Sequence, residues 1–352
     1  MRAMFRFGLC SAEAEADSAA DRLTLARWSL AAINPLGGRL RCGAFPASDG
    51  ADIPYRLWLP REIRAGILLL HGACDYSGAF DEVAPRLARR GIAALAIDQR
   101  GFGATASRGQ WAGHVRMAED VANSIAFLRT RMPAGRPIFV LGESMGGAIA
   151  VIAAARALME GGGLILIAPG AIASLYWRQV LGAAVRMLRL FLRGRALSFD
   201  RVSGWDLAPG AAIRLMGDPL VLRTLRADML AGLLELSCEV VQEATRVSIP
   251  ALTVVGNRDD VLRQACIRRL HQNLAGEKTW QCIEDGPHLL LDWQRADEVI
   301  ARTLGWLDER LAPSARAQAI ASVEVFSGAG GGAAARSTNM ARRLLQSIWG
   351  AT

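Results

Sequence analysis

Short apolar runs recur along the chain between stretches of helical periodicity. Ala65 to Leu70, Ile92 to Ile97, Ile138 to Leu141, Leu164 to Ala168, Ala251 to Val255 and Thr279 to Ile283 are of strand length and mostly apolar. Amphipathic patterns lie between several of them and predict helices over Phe80 to Arg90, Met117 to Arg131 and Met145 to Met159. Apolar strands alternating with helices point to an α/β protein with a mostly parallel central sheet flanked by helices, because strands buried from both sides need no polar face.

The rhythm breaks between Ile172 and Arg246, where no strand candidate occurs and the periodicity is helical. Four regions are therefore expected. Residues 1–40 form an N-terminal appendage, with an apolar patch Trp28 to Ile33 ahead of the turn Asn34-Pro35-Leu36-Gly37-Gly38. Residues 41–170 and 247–311 form the core. Residues 171–246 form a helical cap inserted after strand 6. Residues 312–352 read as an Ala/Gly-rich flexible tail around Gly328 to Gly332, with a short helix from Met340 to Trp349.

Composition changes this picture little. The chain has 352 residues, 52% of them hydrophobic, enough for one large domain with an insertion. A net charge of +8 raises the question of an anionic partner. Nearly all the cations are arginines, Lys278 being the only lysine, and no basic stripe with interleaved aromatics occurs, so nucleic acid is not an expected partner. Cys10, Cys42, Cys74, Cys238, Cys266 and Cys282 show neither CxxC pairs nor metal-ligand spacing and read as free thiols. The start is basic but lacks the apolar run of a signal peptide before Glu13 and Glu15. The longest uncharged stretch, Gly161 to Trp177, is too short to span a bilayer. The expected location is the cytoplasm.

Candidate chemistry enters at Gly142-Glu143-Ser144-Met145-Gly146. The pattern G-x-S-x-G gains force from its context, a strand before it and an Ala-rich helix after it. A serine on so sharp a turn is pushed into the cleft, and the flanking glycines let strand and helix approach. The Met145 amide then stands at a helix N-terminus, where negative charge is favoured and an oxyanion could form. A serine needs a base, and four histidines compete. His71 and His114 precede Ser144, and His271 beside Arg268 and Arg269 is expected to face solvent. His288, in Asp285-Gly286-Pro287-His288, follows the last strand and alone satisfies both order and placement. The acid that orients it should end another strand, and Val254-Val255-Gly256-Asn257-Arg258-Asp259-Asp260 offers two carboxylates. Asp259 is favoured and Asp260 read as its solvated neighbour. In Leu70-His71-Gly72-Ala73-Cys74, Gly72 allows the Ala73 amide to face the cleft as the second oxyanion donor, while His71 braces the loop. Cys74, next in the loop, is not read as a catalytic thiol.

Together these residues resemble the α/β-hydrolases, and within them the monoacylglycerol lipase and lysophospholipase group. The resemblance runs from Phe45 to Leu311. It rests on Ser48-Asp49-Gly50, Trp58-Leu59-Pro60, His71-Gly72-Ala73 with Ser77-Gly78, and Asp98-Gln99-Arg100-Gly101-Phe102-Gly103. Gly142-Glu143-Ser144-Met145-Gly146-Gly147, Gly256 with Asp259, and Gly286 with His288 continue it. It implies the α/β-hydrolase fold, Ser144, Asp259 and His288 as catalytic triad, and the Ala73 and Met145 amides as oxyanion hole. It also implies no metal or organic cofactor, and a cap shaping the acyl pocket. Two positions depart from the group: Glu143 stands where histidine is frequent, and Asp75-Tyr76 where a Glu-His pair is frequent.

The expected activity is cleavage of a carboxylic ester of a monoacylglycerol or lysophospholipid through an acyl-Ser144 intermediate. An acyltransferase or thioesterase on the same residues is the alternative, and a non-catalytic binding module the reading from another class. Within the cap, Arg178, Gln179, Gly182, Arg186, Arg189 and Arg193 share an arc of about 100° on a helical wheel, and the rest of Leu175 to Leu192 is almost wholly apolar. That pattern fits either a lid packed over the cleft or a helix in peripheral contact with a membrane.

Overall fold

The computed structural model describes residues 8–11, 39–159, 161–172, 195–198 and 206–312. The apolar patch at 28–33, the Arg-striped stretch 175–192 and the tail 313–352 lie outside the described residues. Met1–Trp306 forms one unit and Leu307–Thr352 a second, of which residues 307–312 are described and end a helix.

The main sheet has eight strands, β2 (Arg39–Pro46), β3 (Asp52–Leu59), β4 (Ala65–Leu70), β5 (Ile92–Ile97), β6 (Ile138–Glu143), β7 (Gly163–Ile167), β10 (Ala251–Gly256) and β11 (Lys278–Ile283). They lie in the order β11-β10-β7-β6-β4-β5-β3-β2. Only β3 runs against its neighbours, pairing antiparallel with β2 and β5, while the rest of the sheet is parallel. Every residue of β4, β5, β6, β7 and β10 is buried, as strands covered on both faces must be.

The helices are α1 (Val83–Arg89), α2 (His114–Arg129), α3 (Met145–Ala155), α4 (Pro209–Gly217), α5 (Ala227–Glu243), α6 (Gln264–Asn273) and α7 (Ala296–Leu311). Right-handed crossovers send β4-α1-β5 over one face of the sheet and β5-α2-β6 and β6-α3-β7 over the other. Accordingly α3 packs against α2, and also against α5 of the insert between β7 and β10. Buried on all sides from Met145 to Ala153, α3 can be made almost entirely of Ala, Gly and aliphatic residues.

Three helix expectations shift at their ends. The stretch predicted from Phe80 begins as a 3-10 turn over Ser77–Phe80, and α1 starts only at Val83, because Pro85 lacks an N–H and fits only a first turn. The helix predicted from Met117 begins at His114 and ends at Arg129. Helix α3 stops at Ala155 instead of Met159: Ala157 takes a left-handed φ of 54°, and the Leu158 amide turns back to the Ala153 carbonyl.

A larger correction concerns the insert. Residues 171–246 are not helical throughout: they carry β8 (Arg195–Ser198) and β9 (Thr224–Arg226), which pair antiparallel. The third strand of that sheet is β1 (Gly8–Ser11), from the segment predicted as an appendage. Strands of three or four residues show no measurable alternation and owe their conformation to pairing with distant segments. Among the described residues no helix is long and apolar enough to cross a membrane.

Candidate active site

Strand β6 delivers Ser144 directly to the start of α3. The serine occupies φ 50° and ψ −113°, a conformation that L-residues rarely adopt. Neighbouring backbone over-determines it: the Ser144 amide donates to the Ile167 carbonyl at 2.9 Å, and its own carbonyl accepts from the Gly170 amide at 2.8 Å. Such a turn requires very close backbone approach. A Cβ on Gly142 would stand 2.4 Å from the Gly146 carbonyl, and one on Gly146 would stand 2.1 Å from the Leu70 oxygen. Small residues at these two places are therefore a steric condition for the turn.

Ser144 is half-buried, and its Oγ donates to His288 Nε2 at 2.9 Å. On the other side of the ring, His288 Nδ1 donates to Asp259 Oδ2 at 2.8 Å. A carboxylate only accepts, so Nδ1 carries the proton and Nε2 is left as the basic nitrogen facing the serine. The second oxygen of Asp259 accepts the Val261 and Leu262 amides at 2.9 and 2.8 Å, which fixes the orientation of the carboxylate. Asp260 is exposed, in line with its reading as the solvated neighbour. The structure thus brings together the three side chains singled out in the sequence from the ends of β6, β10 and β11.

The loop after β4 passes beside the serine: a Cβ on Gly72 would come 3.6 Å from the Ser144 Cβ. Ala73 follows in that loop, and Met145 opens α3. His71 is fully buried beneath it. Its Nε2 accepts the Gln99 amide at 3.0 Å, which leaves the proton on Nδ1 to be donated to the Gly72 carbonyl at 2.8 Å. Gln99 returns a bond from Nε2 to the His71 carbonyl at 2.7 Å. Burial lowers the basicity of His71, so it stays neutral and braces the loop as expected from sequence. His271, in contrast, does not face solvent. It is half-buried, with Nδ1 3.0 Å from Thr253 Oγ1 and its ring edge-on to Trp280, because this face of α6 turns toward β10 and β11.

Sequence reasoning missed a set of buried charges around this geometry. Arg214 of α4 donates from Nη1 to Asp75 and from Nη2 to Asp292 Oδ1, the latter at 2.5 Å. Asp75 follows the loop that carries Ala73, and Asp292 follows His288 by four residues. Glu143, directly before Ser144, is buried and accepts the Leu291 amide at 3.2 Å. Burial pushes its carboxyl up to about 8, Asp292 adding to the shift. Burial also opposes the charge on Arg214, yet Asp75 and Asp292 raise it well above the usual arginine range. The only sequence trace of this cluster was that Glu143 and Asp75 depart from the pattern of the resembling group. Nothing local marked Arg214 or Asp292.

The chain is similar to known proteins over most of its length. The profile of the family described as serine aminopeptidase, S33, matches residues 61–292. A monoacylglycerol lipase of Mycolicibacterium smegmatis is 28% identical over 240 residues, 66% of this chain and 84% of that protein. A monoglyceride lipase of Mus musculus is 25% identical over 272 residues, 75% and 89% of the two chains. Among solved structures, a soluble variant of monoglyceride lipase from Saccharomyces cerevisiae in complex with a substrate analog superposes with a TM-score of 0.64 at 19% identity. The match covers 79% of this chain and 99% of that one.

Proposed function

The chain belongs to the serine aminopeptidase S33 family, with the fold and lipase-like relatives of the α/β-hydrolases, and from that premise we propose that it is a carboxylic-ester hydrolase cleaving monoacylglycerols through an acyl-Ser144 intermediate. One observation carries the reading: the unbroken relay from Asp259 through His288 to Ser144 Oγ, with the serine held in its strained turn at the head of α3. In this mechanism His288 takes the serine proton at Nε2 as Oγ attacks the ester carbonyl. Asp259 holds the tautomer and stabilises the imidazolium that forms. The carbonyl oxygen gains negative charge and is met by the Ala73 and Met145 amides, the second aided by the dipole of α3. His288 then returns the proton to the departing alcohol. Water, activated by the same nitrogen, releases the fatty acid and regenerates Ser144.

The choice of monoacylglycerol over lysophospholipid is supported by what the relatives are named for. Contact with a lipid surface is supported by α4, whose outward edge carries Ile213, 72% exposed, and Met216, 55% exposed. The deciding experiment combines fluorophosphonate labelling with a substrate panel of monoacylglycerols, lysophosphatidylcholine, acyl thioesters and aminoacyl anilides. Wild type is expected to be labelled, Ser144→Ala to be unlabelled, and monoacylglycerol to be turned over fastest, with glycerol and fatty acid as products. An adduct that survives Ser144→Ala overturns the assignment of the nucleophile. Preferential cleavage of another panel member overturns the substrate.

A further inference from the structure

Backbone and side-chain ties join one stretch of the insert, residues 206–222, to the two loops that flank Ser144. On the His288 side the Ala208 amide donates to the Asp292 carbonyl at 2.8 Å, and Leu207 forms a bridge with Trp293. On the Ala73 side the Leu222 amide donates to the Cys74 carbonyl at 2.8 Å, and Tyr76 Oη donates to Asp218 at 2.5 Å. Between these anchors stands Arg214, whose two terminal nitrogens are shared between the loops, one to Asp75 and one to Asp292. The side chains of Arg214, Asp75 and Asp292 are 11%, 9% and 5% exposed. Solvent therefore screens these pairs little, and a guanidinium fork fixes both direction and distance where an ammonium would supply only a point charge.

We propose that Arg214 is a positioning residue for acyl transfer: by bridging Asp75 and Asp292 it sets the separation of the Ala73 loop and the His288 loop around Ser144, and it makes that alignment depend on the seating of α4. The proposal rests on the hydrolase reading above and adds to it a residue whose side chain acts through Asp75 and Asp292 and not on the reacting atoms. Two further contacts make the coupling specific. The Asp75 carboxylate also accepts the Tyr76 amide at 2.9 Å, which ties it to the backbone immediately after Cys74. On the other side the Leu291 amide, next to Asp292, is held by Glu143, the residue before the nucleophile. A change in the Arg214 bridge is thus passed to the two loops and to the turn carrying the serine through bonds of fixed geometry. The groups facing the guanidinium are Asp75 and Asp292, with Glu143 close to Asp292; His71 stays neutral below the loop.

The test compares wild type, Arg214→Lys and Arg214→Met in the full chain, with active-site titration so that every rate refers to folded, labelled sites. Labelling of wild type but not of Ser144→Ala first establishes the hydrolase reading; an unlabelled wild type sinks that reading itself, and the bridge with it. Given labelling, Arg214→Lys is expected to lower kcat roughly 10-fold and Arg214→Met roughly 100-fold, the scale of misplacing reacting groups by about 1 Å. KM is expected to stay within about threefold, since the substrate contacts are not altered. Methylguanidinium added to Arg214→Met should restore part of the labelling rate. If the methionine variant does not fold, the lysine variant decides alone. Per-site kcat within twofold of wild type overturns the proposal, as does a loss of total activity explained wholly by the unfolded fraction.

Discussion

Gly146→Ala adds one methyl group at the point where the head of α3 meets the end of β4. Its Cβ would lie 2.1 Å from the Leu70 oxygen, 2.6 Å from the Leu70 carbonyl carbon and 2.8 Å from the His71 oxygen. Ordinary contact begins at 3.4 Å, so α3 and the loop entrance must separate by about 1.3 Å. All three obstacles are backbone atoms, and no rotamer relieves them. Overpacking of this kind costs about 1–3 kcal/mol of stability. The movement also pulls the Met145 amide and Ser144 away from the Ala73 loop, and about 1 Å of misplacement costs on the order of 100-fold in rate. The assay is kcat on a monoacylglycerol together with the fluorophosphonate labelling rate, both per folded molecule, alongside thermal unfolding. Gly305→Ala is the control. Nothing lies within 4 Å of a Cβ at that position in α7, so it should leave kcat unchanged and stabilise by about 0.5–1 kcal/mol through helix propensity. A folded Gly146→Ala enzyme that turns over within twofold of wild type would refute the steric account of the turn.

Asp259→Asn keeps the shape of the residue but lets the amide favour the wrong tautomer of His288; kcat should fall about 10⁴-fold with KM little changed, as steady-state kinetics will show. Glu143, facing Asp292, Asp75 and Arg214, keeps its proton in the folded protein up to about pH 8, whereas the unfolded chain loses it near the ordinary glutamate value of 4.5. Between those values the folded state binds more protons, so its stability falls as pH rises. Glu143→Gln should flatten the decline of Tm between pH 5 and 8, and parallel Tm profiles for the two proteins would contradict the burial effect. His71→Leu removes the acceptor for the Gln99 amide and the donor to the Gly72 carbonyl. Each stranded group should cost about 1–3 kcal/mol in denaturant unfolding, and an unchanged midpoint would count against the brace.

The elements read best from sequence were those whose environment is uniform. Strands β4 and β5 begin and end where their apolar runs do, since a strand covered on both faces excludes polar residues along its whole length. Strands β2 and β3 carry no unbroken apolar run, because Arg41, Arg56 and Pro54 interrupt them. In the fold Arg56 is buried against Asp81 at 2.5 Å, a partner 25 residues away. The three-stranded sheet of β1, β8 and β9 was illegible for a related reason: each strand is too short to carry a pattern and exists only by pairing.

Sequence by itself determined the class of fold and drew attention to Ser144, Asp259 and His288. Their signals are local: a glycine-flanked turn between strand and helix, and polar residues just past the ends of apolar strands. Tertiary structure decided the distances of 2.9 and 2.8 Å that join them and the tautomer of His288. It also decided the burial that holds Glu143 protonated and the bridge from Arg214 to Asp75 and Asp292. Those features depend on segments separated by 29 to 148 residues in the chain. Hydrogen bonds and desolvation act through space, and only the assembled sheet and insert set which groups share it.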